Sequence, residues 1–92
     1  MLKRSYCGEE KIICDSGINA TLYYYLLEEK SGDCDSFGIE VAMVRSGTWE
    51  SASVHHITTS AALIDSLLER LKRNTVTPCT LQEIVIEEIN KY

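Results

Sequence analysis

The 92-residue sequence has little that marks a specialised class. It has no apolar run approaching the roughly 18 residues of a membrane span, so no membrane segment is expected. The opening "MLKRSYCGEE" carries two basic residues with no apolar run behind them, which is not a signal-peptide pattern. Basic residues are few: nine Lys and Arg against fourteen Asp and Glu, a net charge of −5. Phosphate contacts need a concentration of Lys and Arg, so nucleic-acid binding is not expected. The nearest basic cluster, "ERLKR" at 69–73, reads as a helix C-terminus, where cations complement the helix dipole. No phosphate loop, dinucleotide fingerprint or nucleophile elbow is present. There is no internal repeat, no low-complexity segment and no linker, so residues 1–92 read as a single domain.

The four cysteines, Cys7, Cys14, Cys34 and Cys79, fall at long, irregular intervals. An even count in a short chain invites a disulfide framework, but that needs a secretory context. Zinc sites bring Cys-x-x-Cys pairs or a Cys and His motif at fixed spacing, and neither occurs. Reduced cysteines without a dedicated role are the expectation, and with them a soluble cytoplasmic protein with no cofactor.

What is there is a clean division of pattern. The first two thirds reads as strands and the last third as helices, which predicts an α+β domain. Phe37, Ile39, Val41 and Met43 alternate with Gly38, Glu40, Ala42 and Val44, the period of a strand. Ser46-Gly47 suits a two-residue hairpin loop. That loop sets Val44 against Trp49 on one face, and Val41 against Ala52 and Ile39 against Val54 on the other, the apolar face expected to meet the core. "EKIIC" and "TLYYYLLEE" supply two further strands around the turn signal "CDSGIN", and "KSGDCDS" separates the second strand from the third. The prediction is a four-stranded antiparallel meander followed by two helices packed on one face.

The helices are equally legible. Ile64, Leu67, Leu68 and Leu71 form one stripe, with Thr58, Thr59 or Ser60 to cap its start and Asn74 to take the left-handed turn at its end. Pro78 separates this helix from the next. The second helix starts either with a Thr80–Glu83 capping box or with Thr77 as cap and Pro78 at the first helical position. It presents Leu81, Ile84, Val85 and Ile89.

Tyr23 to Tyr25, Phe37 to Val41 and the joint Asn74 to Pro78 occur in an order that resembles a family of short proteins from clostridia and related Gram-positive bacteria. That family is a domain of unknown function, and the resemblance runs from about Thr21 to Ile89. It implies a cytoplasmic bacterial protein and carries no activity, cofactor or catalytic residue.

Two sets of residues remain as functional candidates. The second strand is apolar or amphipathic on both faces, with Tyr23, Tyr25 and Leu27 opposite Leu22, Tyr24 and Leu26. Helices cover one side, which leaves an open face carrying Tyr23, Tyr25, Val44, Trp49 and His55. Aromatic residues are enriched at interface centres, so this face is expected to meet a protein partner or a second copy in a homodimer. The reading is a non-enzymatic interaction or regulatory module. The alternative is a small-molecule or metal-binding protein or minor enzyme using His55 or His56 with a cysteine. Strand alternation points His55 to the open face and His56 to the core edge, so the two reach one ligand only across a bulge.

Overall fold

The computed structural model describes residues 2–14 and 16–90. Four strands, β1 (Leu2–Ile13), β2 (Asn19–Ser31), β3 (Cys34–Arg45) and β4 (Thr48–Thr58), form one antiparallel sheet in the order β1-β2-β3-β4. Two helices follow, α1 (Ala61–Arg73) and α2 (Leu81–Ile89). The architecture is the α+β meander with two C-terminal helices that the pattern predicts. Among the described residues no helix is long and apolar enough to cross a membrane.

The core lies between the sheet and the helices. Leu22 and Tyr24 of β2 and Phe37, Ile39, Val41 and Met43 of β3 are buried on one sheet face. Ile64, Leu67, Leu68 and Leu71 of α1 and Leu81 and Val85 of α2 are buried against them. Both helices are amphipathic at a 3.6-residue period, so one stripe of each is available for this layer and the rest faces water. Ile84 and Ile89 are half-buried at its edge, and Ile86 is exposed. The described chain measures 46 × 28 × 17 Å. The short dimension fits one sheet and one helix layer, and nothing among the described residues lies over the other face of the sheet.

The joint between the helices is tied to the centre of the sheet. Tyr24 is fully buried and its hydroxyl donates to the Val76 carbonyl at 3.0 Å. Burial pushes the Tyr24 phenol up, with Glu10 adding to the same direction, so the ring stays neutral. α1 starts at Ser60, whose hydroxyl accepts from the Leu63 amide at 3.2 Å. It ends in a Schellman arrangement, with the Val76 amide donating to the Leu71 carbonyl and the Thr75 amide to Lys72. The left-handed residue is Thr75, at φ 48°, and not Asn74, at φ −92°. The reason is register: burying Val76 in the core fixes the residue before it as the one that reverses the chain.

The start of α2 departs from the capping box. The Thr80 side chain makes no bond to the helix amides and turns back to Thr77, its hydroxyl 3.3 Å from that of Thr77. Backbone bonds from Thr80 to Thr77 and from Leu81 to Pro78 form a tight turn ahead of the helix. Pro78 begins this turn, because its fixed φ suits it and its missing amide costs nothing there. The helices are then clamped by an ion pair between Arg70 and Glu88 at 2.5 Å.

Three strands extend beyond their expected bounds. β1 begins at Leu2, and a register shift between Tyr6 and Glu9, where Gly8 has φ 123°, hides its alternation. β2 and β3 pair as far as Ser31 and Cys34, so the polar stretch between them is a two-residue turn at Gly32 and Asp33.

Candidate functional site

The uncovered sheet face is built row by row from the register. Across all four strands, Lys11, Thr21, Val44 and Trp49 form one row, and Glu9, Tyr23, Ala42 and Ser51 the next. Tyr6, Tyr25, Glu40 and Ser53 form a third. Tyr23, Tyr25, Val44 and Trp49 therefore share the face, and the His55 ring joins it, with its Nε2 3.3 Å from the Ser53 hydroxyl. They are not equally available. Trp49 is 64% exposed and Val44 40%, whereas Tyr23 and Tyr25 are half-buried.

β1 explains the difference and adds residues that the alternation did not reveal. The Arg4 guanidinium lies 3.7 Å over the Tyr25 ring and binds the Glu40 carboxylate at 2.7 Å. That bond pushes the Arg4 pKa further up, so the cation is held over the ring at all ordinary pH. Tyr6 meets Tyr25 edge to face at 5.8 Å and donates to Glu9 at 2.9 Å, a bond that pushes the Tyr6 phenol up. Two small or aliphatic residues of this face, Ala42 and Leu27, are buried beneath this layer. Ile13, on the same face at the Trp49 end, is 74% exposed. The signal for Arg4, Tyr6 and Ile13 was present as alternation along 2–6 and 9–13, but the shift between the two halves inverts its phase.

The histidine pair lies on a bulge. β4 spans Val54 to Thr58 where β3 spans only Phe37 to Ile39. Gly38 makes this geometry feasible: a Cβ there would sit 2.3 Å from the Val54 carbonyl oxygen and 2.9 Å from the His55 Cα. Within the bulge His56 takes φ 55°. The expectation that His56 points to the core edge is thereby corrected, because the extra residues rotate it onto the open face. Its Nδ1 is 2.7 Å from the Ser36 hydroxyl and its Nε2 3.0 Å from the Glu29 carboxylate. The two imidazole centroids are 6.3 Å apart.

This order of serine, imidazole and carboxylate is what nucleophilic catalysis uses, but its setting differs. The His56 side chain is 60% exposed and stands on a sheet surface, where water screens every group involved. Both ring nitrogens are taken by Ser36 and Glu29, and neither is taken by a cysteine. We read the arrangement as the clamp that holds the bulge. All four cysteines are free, Cys34 and Cys79 exposed and Cys7 and Cys14 half-buried. Among the described residues no three His, Cys, Asp or Glu groups come together to hold a metal ion. The recess beside Trp49, lined by Met43, Arg45, Thr48 and Glu50, has a volume of about 80 Å³, below the ~300 Å³ at which ordinary ligand pockets begin. Wider hollows of about 500 and 530 Å³ flank Ile12 and Ile13 and lie open to solvent.

Residues 3–91 match a family of unknown function, DUF6514. The chain belongs to this family. Comparison with curated proteins and with solved structures gives no match. Membership in DUF6514 thus covers nearly the whole domain, sheet and helices together, and assigns no chemistry to any residue on it.

Proposed function

We propose that this DUF6514 chain is a non-enzymatic interaction or regulatory module of a bacterial cytoplasm, and that it docks a protein on its open sheet face around Trp49. The observation that carries the reading is the cluster at one end of that face. Trp49 and Val44 are directly paired, Ile13 lies on the strand at the other edge, and all three are exposed. Large apolar groups gathered on a surface that nothing in the described chain covers are the usual mark of a docking site. Four unpaired cysteines and an acidic charge balance support the compartment and argue against a nucleic-acid partner.

The test is native mass spectrometry of the reduced chain and its Trp49→Ala variant, with circular dichroism to follow folding. Trp49 is mostly in water, so its removal should leave the melting temperature nearly unchanged. Loss of a tryptophan that the partner covers should weaken association by about fivefold or more. An assembly of the same mass and strength in both proteins would sink the proposal.

A further inference from the structure

In its central rows the open face is bulky on one side and shallow on the other. On β1 and β2 it carries Tyr6, Glu9 and Tyr23, whereas at the same rows on β3 and β4 it carries Ala42, Ser51 and Ser53. In the Glu9 row, large side chains on β1 and β2 are matched by small ones on β3 and β4, and in the next row Tyr6 is matched by Ser53; in the Lys11 row the inner pair is reversed, with Thr21 small and Val44 larger. We propose that the occupant of this face is a second copy of the chain, packed face to face about a two-fold axis that runs along the strands between β2 and β3. This rests on the reading of the face as an interaction surface.

Three features lead to that partner and that axis. The first is steric. A two-fold along the strands keeps each row in place and exchanges its ends, so Glu9 of one copy lies over Ser51 of the other and Tyr6 over Ser53. Ridge then meets trough on both sides, the self-complementarity that an isologous interface needs. A two-fold across the strands would set β1 over β1, ridge on ridge, and bring Lys11 toward Arg4. Aligned sheets pack about 30° apart, so the match is closest near the axis, where Tyr23 of one copy lies over Ala42 of the other, and loosens toward the edge strands that carry Glu9 and Ser51.

The second feature is charge. The chain carries −5, yet the face carries Arg4 and Lys11 against Glu9, Glu29 and Glu40, close to balance. The acidic excess sits elsewhere, so two copies meet here without strong repulsion. At the rim the same axis places Lys11 over the exposed ring of Trp49, a favourable cation–π pairing formed twice.

The third is area. Strands of about 12 residues span roughly 40 Å, and four of them are about 19 Å wide, a flat face of roughly 750 Å². A stable interface of standard size takes about 800 Å² from each partner. A peptide strand would leave most of the face bare, whereas a second sheet of the same length covers it.

The experiment measures dimer dissociation by sedimentation equilibrium at low salt for the wild type, Ser51→Lys and Ser51→Glu. Ser51 is exposed, and neither change should disturb the fold. The proposed axis sets residue 51 against Glu9 of the other copy, twice per dimer. Lysine should therefore tighten the dimer by about fivefold and glutamate weaken it similarly, on the scale of two exposed ion pairs. If both variants weaken it alike, or neither changes it, the axis is wrong while the face can still be an interface. A wild-type monomer at 100 µM (an arbitrary upper concentration, roughly that at which weak transient pairs form) overturns the second copy. A Trp49-dependent complex with a different protein would then still carry the proposed function.

Discussion

Replacing Tyr24 by phenylalanine removes one oxygen and tests how the joint is held. Tyr24 lies in the middle of β2 with no exposed surface, and its hydroxyl is 3.0 Å from the carbonyl of Val76, also buried. Phenylalanine keeps the ring and its packing, so the transfer and cavity costs of a larger truncation do not arise. What changes is that a buried carbonyl loses its partner, which costs about 1–3 kcal/mol. For a domain of this size that lowers Tm by roughly 5–15 °C. Thermal unfolding followed by circular dichroism reads it, with Tyr23→Phe on the opposite face as the control, expected within about 0.5 kcal/mol of wild type. A second signature is alkaline. Burial holds the Tyr24 phenol neutral above its ordinary pKa of about 10, so the unfolded chain releases that proton first. The contribution is fully present below about pH 10 and declines as pH rises above it, by up to about 1.4 kcal/mol per pH unit. The variant should decline less steeply by that amount. A Tm within about 2 °C of wild type, together with an unchanged alkaline slope, would refute the claim that this bond anchors the helix joint.

Two further predictions concern the backbone. Gly38→Ala drives a Cβ into the Val54 carbonyl and the His55 Cα, which are main-chain atoms that cannot rotate away. The cost should be about 2–3 kcal/mol, read in the same unfolding assay, and a variant as stable as wild type would show that the bulge adapts freely. Thr75→Gly relieves a β-branched residue at φ 48°. Relief of about 1–2 kcal/mol, less roughly 0.5–1 kcal/mol for the added freedom of the unfolded chain, should raise Tm by a few degrees. A lower Tm would contradict the strain.

The fold was legible wherever one period ran unbroken. The alternation in 37–44 and the stripe Ile64, Leu67, Leu68 and Leu71 lie in the structure as the pattern places them, because each element buries one face and the period follows from that burial. The Val44 to Trp49 pairing followed from the loop, since Ser46 and Gly47, both at positive φ, form the tight turn that fixes register. Legibility failed where a bulge shifts the phase. β1 is two short alternations in opposite phase, so Arg4, Tyr6 and Ile13 did not read as one face. His56 failed for the same reason. A rule that alternates sides at every residue gives the wrong side once extra residues enter, and Gly38 was the cue, being the one glycine inside a strand facing another backbone. At the cap of α2, the pattern Thr80 and Glu83 was correct chemistry for a helix start, but the turn at Thr77 and Pro78 uses the threonine first.

The steric asymmetry of the open face belongs to a different level of description. No single strand shows it: Ser51 and Ser53 look like ordinary solvent positions, and Tyr23 and Tyr25 like ordinary strand aromatics. The asymmetry exists only once the order β1-β2-β3-β4 puts Tyr6, Glu9 and Tyr23 at one side of their rows and Ala42, Ser51 and Ser53 at the other. Arg4 and Glu40 then matter for what they do across that boundary. Their bond reaches from β1 to β3 over Tyr25, pinning the ring beneath it and fixing the height of the ridge. A ridge held by an ion pair and an aromatic stack loses little side-chain entropy when another surface arrives, which is the property a docking face needs. The same face also bears the His56 bulge at its far end, stiffened by Ser36 and Glu29. Stability in this protein is concentrated on the helix side of the sheet. The open side is bound together by side-chain contacts while much of it stays in water, a combination that supports the proposed docking role.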